Sequence, residues 1–388
     1  MTPGDTTSAG RRGEAGAVTS SFAGLTVAVI GVGLMGGSLG LAAQARAGVR
    51  RVVGFSRTSE TLEQALELGA ITEAAASLEE AVAEADLAFV CTPVLDVVEH
   101  VRCAYAAARL GCVVTDVGST KARLMESLSW EQQATCIGGH PLCGAETVGV
   151  GNARASLYQG ATYFLTPGAH VRHGAFQRLF DFVTALGARP VAIDAAEHDR
   201  LMALVSHLPH VLANTLMTQA GGREGGRDAL LSAGPSFRDL TRIAGSNRRV
   251  WTDIFLENRA ALLEALRAFR AGLDEVESAL EAADAERLRE QIAAAAAHRQ
   301  RMLVDSSLVP EALCRLEVQI PDRPGVLKEI MTALGDEDIN VEDLALHHMS
   351  AELGGTLTVY VSGDEVCRAA ADLVTRLGYA VSTAKVVE

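Results

Sequence analysis

The residues best placed to do chemistry in this sequence centre on one histidine, His140, in the segment Cys136-Ile-Gly-Gly-His140-Pro-Leu-Cys-Gly144-Ala-Glu146. An imidazole changes charge near neutrality, so a histidine that follows a short strand and is braced by Pro141 can take or give a proton during a reaction. Ser119, in Asp116-Val-Gly-Ser119-Thr120-Lys121, offers an orienting hydroxyl, and Glu146 a carboxylate partner. Further along, Asp199, Ser206 and His210 recur at helical spacing, with His207 beside them. That cluster lacks the ligand pair at i, i+4 and the extra donors a metal needs, so no metal is expected. Without a ligand, the same residues read as a structural histidine and a polar helix face. Between Gly234 and Asp253 the chain is dense in arginine, including Arg238 and Arg242, and carries Trp251. Guanidinium groups bind carboxylates bidentately, which suits a dicarboxylate ligand.

These groups need a scaffold, and the chain announces one early. Leu25 to Ile30 is a short apolar run that reads as a buried strand, followed by Gly31-Val-Gly33-Leu34-Met35-Gly36 and a helix-forming segment. Strand, glycine turn and helix in that order make a dinucleotide site: Gly31 allows the turn, Gly33 admits the pyrophosphate, and Gly36 lets helix and strand pack closely. An uncharged stretch from Ala15 to Ala45 could instead be an export signal or membrane anchor. Five glycines within it, no twin-arginine pattern, and the strands and helices that follow argue against that reading. Val52–Phe55, Leu87–Cys91 and Val113–Asp116 read as further strands alternating with helices, which implies a doubly wound, parallel α/β sheet. In such a sheet ligands lie beyond the carboxyl ends of the strands. After the second strand stands Ser56-Arg57 in place of an acidic residue, which favours NADP over NAD; an exposed loop arginine on an NAD enzyme is the competing reading. Cys91-Thr92-Pro93 would border the same cofactor.

The chain has 388 residues, room for two or three domains, and its net charge of -14 argues against nucleic acid and anionic membranes as partners. Seven scattered cysteines without a C-x-x-C pair point to a reducing, cytoplasmic compartment with neither a disulfide framework nor structural zinc. Residues 1–22 are too poor in large apolar groups to fold and read as a disordered tail. Residues 23–195 form the dinucleotide domain. In 196–305, an all-α substrate and dimerisation domain, Glu197–Gln219 is a helix with Leu201, Leu204, Val205 and Leu208 on its apolar side and a kink expected at Pro209. Leu262, Leu266, Phe269, Leu273, Val276 and Leu280 then mark one seam of a long helix, either a bundle core or a dimer interface. Residues 312–388 read as βαββαβ, a small ferredoxin-like module without nucleophile or metal cluster, and so a ligand sensor.

Taken in order, GVGLMGGS, DVGSTK, GGHPLCGAE, EHDRLMALVSHLPH and FRDLTRIAGSNRRVW resemble the prephenate dehydrogenase family, and the tail with its DRPG turn resembles an ACT domain. The resemblance implies oxidative decarboxylation of prephenate to 4-hydroxyphenylpyruvate in tyrosine biosynthesis, with hydride passing to NAD(P)+. It makes His140 the base for the C4 hydroxyl and Ser119 the serine that orients it. It places His207, His210 and Asp199 in the substrate pocket, Arg242 on a substrate carboxylate, and Glu146 at the pocket mouth. It also implies a homodimer, and tyrosine as effector near Asp322, Arg323, Pro324, Gly325 and Val326 and the Ile339-Asn340 turn. Cys143, where the family usually has alanine, reads as a packing substitution.

Three alternatives frame that expectation. L-Arogenate differs from prephenate only in an amino group, and no residue decides between them. β-Hydroxyacid dehydrogenases share the glycine turn but need a lysine on the helical domain, and no lysine lies between Lys121 and Lys328. A non-catalytic amino-acid sensor is opposed by the presence of Ser119, His140 and Arg242 together.

Overall fold

The computed structural model describes residues 22–144, 147–222, 230–306, 313–350 and 354–385. It divides into two compact units, one of residues 1–215 with 243–267, the other of 216–242 with 268–388.

The first unit is built on an eight-stranded sheet, ordered β3-β2-β1-β4-β5-β6-β7-β8. Its strands are β1 Thr26–Ile30, β2 Arg51–Phe55, β3 Glu73–Ala74, β4 Leu87–Val90, β5 Val113–Asp116, β6 Cys136–Pro141, β7 Thr162–Pro167 and β8 Arg189–Ala192. Side chains alternate across the pleat, so β1 sends Val27 and Val29 into one core and Ala28 and Ile30 into the other. β4 does the same with Leu87 and Phe89 against Ala88 and Val90, which is why both strands are apolar but for Thr26 at the start of β1. Each fully buried Val, Leu or Phe contributes about 1.5–3 kcal/mol relative to exposure.

The sheet is parallel from β3 to β6, as expected, but β7 pairs antiparallel with β6 and β8 follows β7 in parallel. This corrects the expectation of parallel strands throughout. Among the described residues from 142 to 161 the only helical piece is one 3-10 turn, Val150–Asn152, too short for a crossover, so the chain reverses.

In the second unit, β9 Leu313–Ile320, β10 Asp343–Ser350, β11 Gly354–Ser362 and β12 Ala380–Lys385 form an antiparallel sheet ordered β10-β11-β9-β12. Helices Val326–Asp336 and Asp364–Arg376 lay Ile330, Leu334, Ala370 and Val374 against Leu316, Val318, Leu357 and Val359. Gly325, at φ 94°, occupies a left-handed position at the start of the first helix. Cys314 and Cys367 form a disulfide, with Cα atoms 5.9 Å apart. That corrects the expectation of no disulfide: Cys314 points inward from β9 onto the helix that carries Cys367, across 53 residues of sequence. Among the described residues no helix is long and apolar enough to cross a membrane, and no group of three His, Cys, Asp or Glu could hold a metal.

Candidate active site

At the switch point of the sheet, between β1 and β4, a cleft of about 260 Å³ is lined by Gly31, Gly33, Ser56, Arg57, Thr92 and Pro93. Gly31 has φ 94°, and a Cβ there would lie 2.7 Å from the Cys91 carbonyl oxygen; at Gly36 a Cβ would lie 2.3 Å from the Gly31 carbonyl. At Gly33 a Cβ would meet only open space, the side from which a pyrophosphate can approach the N-terminus of helix Leu34–Ala45. Tyr158 fixes that end by donating to the Met35 carbonyl at 3.0 Å. The residues present thus fit a dinucleotide. Cys91 also lines the cleft; burial pushes its thiol far up, and raises Cys143 to about 11.

His140 is the fifth residue of β6, inside the strand rather than after it, at the carboxyl edge of the sheet and only 9% exposed. Its Nδ1 lies 2.8 Å from Nε2 of His198, and Nδ1 of His198 lies 2.8 Å from Oδ1 of Asp199. Phe164, across from His140 on β7, meets His198 edge-on with ring centroids 5.5 Å apart. The carboxylate of Asp199 also accepts the backbone N–H groups of Lys121 at 2.8 Å and Ala122 at 2.9 Å, so it caps helix Ala122–Ser127 from a distant part of the chain. Beneath this array Lys121 and Asp116 form a fully buried ion pair. Asp116 further accepts from Gly118 N at 2.8 Å and Gly139 N at 3.0 Å, tying the loop after β5 to β6. Burial, helped by the neighbouring His198, the Lys121 charge and His207, holds the His140 imidazole well below its usual range. It is therefore an uncharged base at neutral pH.

The helical residues arrive through an irregular segment. Helix Ala195–Met202 widens into a π turn, Ala203–His207, before Leu208–Gly221. The break thus precedes Pro209, whose missing N–H leaves the preceding turn one bond short. Leu204 and Val205, expected on the buried side, are 58% and 55% exposed, while His198, Asp199, Met202 and His207 are buried. His207 Nδ1 lies 3.1 Å from Asn258 Nδ2, which also donates to the Asp199 carbonyl at 2.8 Å. Burial lowers His207 to about 4. The His210 ring stacks on Trp251, centroids 3.3 Å apart, in helix Arg248–Glu257, which packs on the Val94–Asp96 turn next to the cofactor cleft.

The structure thus brings together His140, Asp199, His207 and His210 around residues that the sequence did not single out: His198, Phe164 and Asn258. Ser119 sits half-buried on the loop after β5, and among the described residues its hydroxyl makes no hydrogen bond; the ring that orients His140 here is His198. Asp199 spends its oxygens on the protein. Glu146 lies outside the described residues. Arg242 belongs to the second unit, where it follows helix Pro235–Thr241. In that unit Asp322, Arg323, Pro324, Gly325 and Val326 line a hollow of about 300 Å³, whereas Ile339 lines a different one and Asn340 bonds Glu342.

A doubly wound nucleotide domain with an uncharged, buried histidine at its carboxyl edge defines an NAD(P)-dependent dehydrogenase. The comparisons with known proteins narrow the class. Residues 39–192 match the nucleotide-binding domain of prephenate dehydrogenase, and residues 194–294 its dimerization domain. The prephenate dehydrogenase of Bacillus subtilis is 30% identical over 346 residues, covering 88% of this chain and 93% of that protein. The cyclohexadienyl dehydrogenase of Zymomonas mobilis is 32% identical over 288 residues, covering 73% and 98% respectively. The crystal structure of Aquifex aeolicus prephenate dehydrogenase, in complex with hydroxyphenyl propionate and NAD+, superposes with a TM-score of 0.68 at 27% identity, over 73% of this chain and 99% of that one. The chain belongs to the prephenate dehydrogenase family.

Proposed function

We propose that this enzyme oxidatively decarboxylates prephenate to 4-hydroxyphenylpyruvate and CO2, with His140 as the base. The observation that carries this reading is the buried His140 at the sheet's carboxyl edge, the same edge at which β1 and β4 end at the dinucleotide cleft. His140 accepts the C4 hydroxyl proton as the carbonyl forms, and loss of the ring carboxylate as CO2 aromatises the ring. Bound NAD(P)+ supplies the hydride acceptor. Gly33 and the helix N-terminus hold the pyrophosphate, and Arg57, exposed at the cleft with no carboxylate beside it at Ser56, favours a 2′-phosphate and hence NADP. Ser119 serves the nicotinamide side and His207, His210 and Asp199 the substrate side of the pocket; the family resemblance further assigns Arg242 to a substrate carboxylate and Glu146 to a gating role.

The C-terminal sheet acts as an ACT domain that binds tyrosine at the Asp322–Val326 hollow and feeds back on turnover. Its strand order and the αL Gly325 turn support this, as does an alignment with the Bacillus relative that is too long to end before β9. The enzyme works in the cytoplasm as a homodimer. Exposed apolar residues such as Leu273, Leu280 and Ile292 support that assembly. L-Arogenate remains the alternative substrate.

A steady-state grid tests the substrate, the cofactor and the effector: prephenate or L-arogenate, each with NAD+ or NADP+, with and without tyrosine. Turnover of prephenate, fastest with NADP+ and slowed by tyrosine, is the expected result. Turnover of arogenate alone reassigns the substrate, and no turnover returns the chain to a sensor.

A further inference from the structure

The hydrogen-bond geometry around His140 fixes which of its nitrogens is the base. Asp199 is a carboxylate that already accepts two backbone N–H groups, so His198 must donate to it from Nδ1. A neutral imidazole with its proton on Nδ1 presents a lone pair at Nε2, and that atom lies 2.8 Å from His140 Nδ1. His140 therefore donates from Nδ1, and its own lone pair is left on Nε2. The chain of three groups is rigid. His198 is fully buried under Phe164, Asp194 caps its helix by accepting from Ala196 N at 2.9 Å and Glu197 N at 3.0 Å, and Asn258 holds the Asp199 carbonyl.

We propose that His198 is a positioning residue that holds His140 as the Nδ1–H tautomer and so leaves Nε2 as the nitrogen that takes the proton. The proposal rests on His140 being the base of the reaction above. One proton moves, from the substrate hydroxyl to His140 Nε2. The His140 Nδ1 proton stays in place, its hydrogen bond to His198 tightening as charge develops, with the Asp199 carboxylate as the fixed end of the relay. Lys121, paired with Asp116, and His207 are the other titratable groups facing this array. The lysine charge opposes protonation of His140, which keeps Nε2 unprotonated until the substrate hydroxyl delivers its proton.

The test is two-bond 15N–1H correlation spectroscopy of the full-length native enzyme labelled with 15N-histidine, with signals assigned by their loss in His140→Gln and His198→Gln. His140 and His198 should both appear as Nδ1–H tautomers at pH 7.5. An Nε2–H tautomer for His140, or an imidazolium at His198, overturns the proposal. This readout needs no turnover, so it separates failure of the relay from failure of the assigned reaction. In parallel, His198→Phe keeps the ring and removes the acceptor. It should lower kcat on the order of 10²-fold, the scale of general acid–base help, with KM and dinucleotide affinity within about twofold. Unchanged kcat, or a loss confined to KM, overturns the positioning role.

Discussion

The carboxylate of Asp116 and the ammonium of Lys121 meet in a pocket that solvent does not reach, directly under the loop that carries Ser119 and the strand that carries His140. Breaking such a pair strands a buried charge, at a cost of about 3–5 kcal/mol, whereas replacing both partners costs far less. Lys121→Met should therefore lower the urea-unfolding free energy by that amount, and Asp116→Asn with Lys121→Met should recover part of it. Equal losses in the single and double variants would show that the pair is not the source of the stability.

With His140 as the proposed base, the pH profile should follow its imidazole. Its imidazole is held below the usual value of 6.5, so the reactive, unprotonated form is full at neutrality and disappears only in more acid solution. The acid limb of kcat/KM should lie below pH 6.5, and His140→Ala should lower kcat by about 10²–10⁴-fold while substrate still binds. An acid limb at or above 6.5 contradicts the burial argument.

Stability should fall in acid through His207. The unfolded chain takes up a proton at this residue near pH 6.5, but the native protein resists until about pH 4. Between those values the unfolded state binds more protons, so unfolding becomes easier as pH falls, by about 3 kcal/mol at pH 4 from this residue. Urea midpoints measured from pH 7 to 4.5 should drop, and His207→Asn should flatten the slope.

Cofactor choice should turn on two adjacent residues. Arg57→Ala is expected to reduce kcat/KM for NADP+ about tenfold with little change for NAD+, and Ser56→Asp should shift preference toward NAD+ by repelling the 2′-phosphate. Equal effects on both nucleotides would remove Arg57 from the ribose end of the cleft.

Much of this arrangement was readable because its signals are local. The glycine turn lies within a single stretch of sequence, β1 and β4 are continuous apolar runs, and βαββαβ follows from periodicity alone. What was not readable depends on pairing between distant residues. His198 meets His140 across 58 positions, and as the neighbour of Asp199 it falls about 100° away on a regular helix, outside the polar stripe that spacing defines. The π turn at Ala203–His207 breaks the regular helical spacing at Leu204 and Val205 themselves, and both are exposed. Cys314 and Cys367 carry no motif, and only the packing of helix on sheet brings them together.

The reversal from β6 into β7 has a bearing on the dinucleotide cleft. A parallel connection would have taken the chain to the far edge of the sheet and back, but here β6 ends and β7 begins at the ligand edge. On the ribbon between them, Gly149 and Val150 line the dinucleotide cleft, and Arg154 N is held by Ser38 of the nucleotide-binding helix at 3.0 Å. Changes in that ribbon therefore bear on how the dinucleotide is held before they bear on anything else.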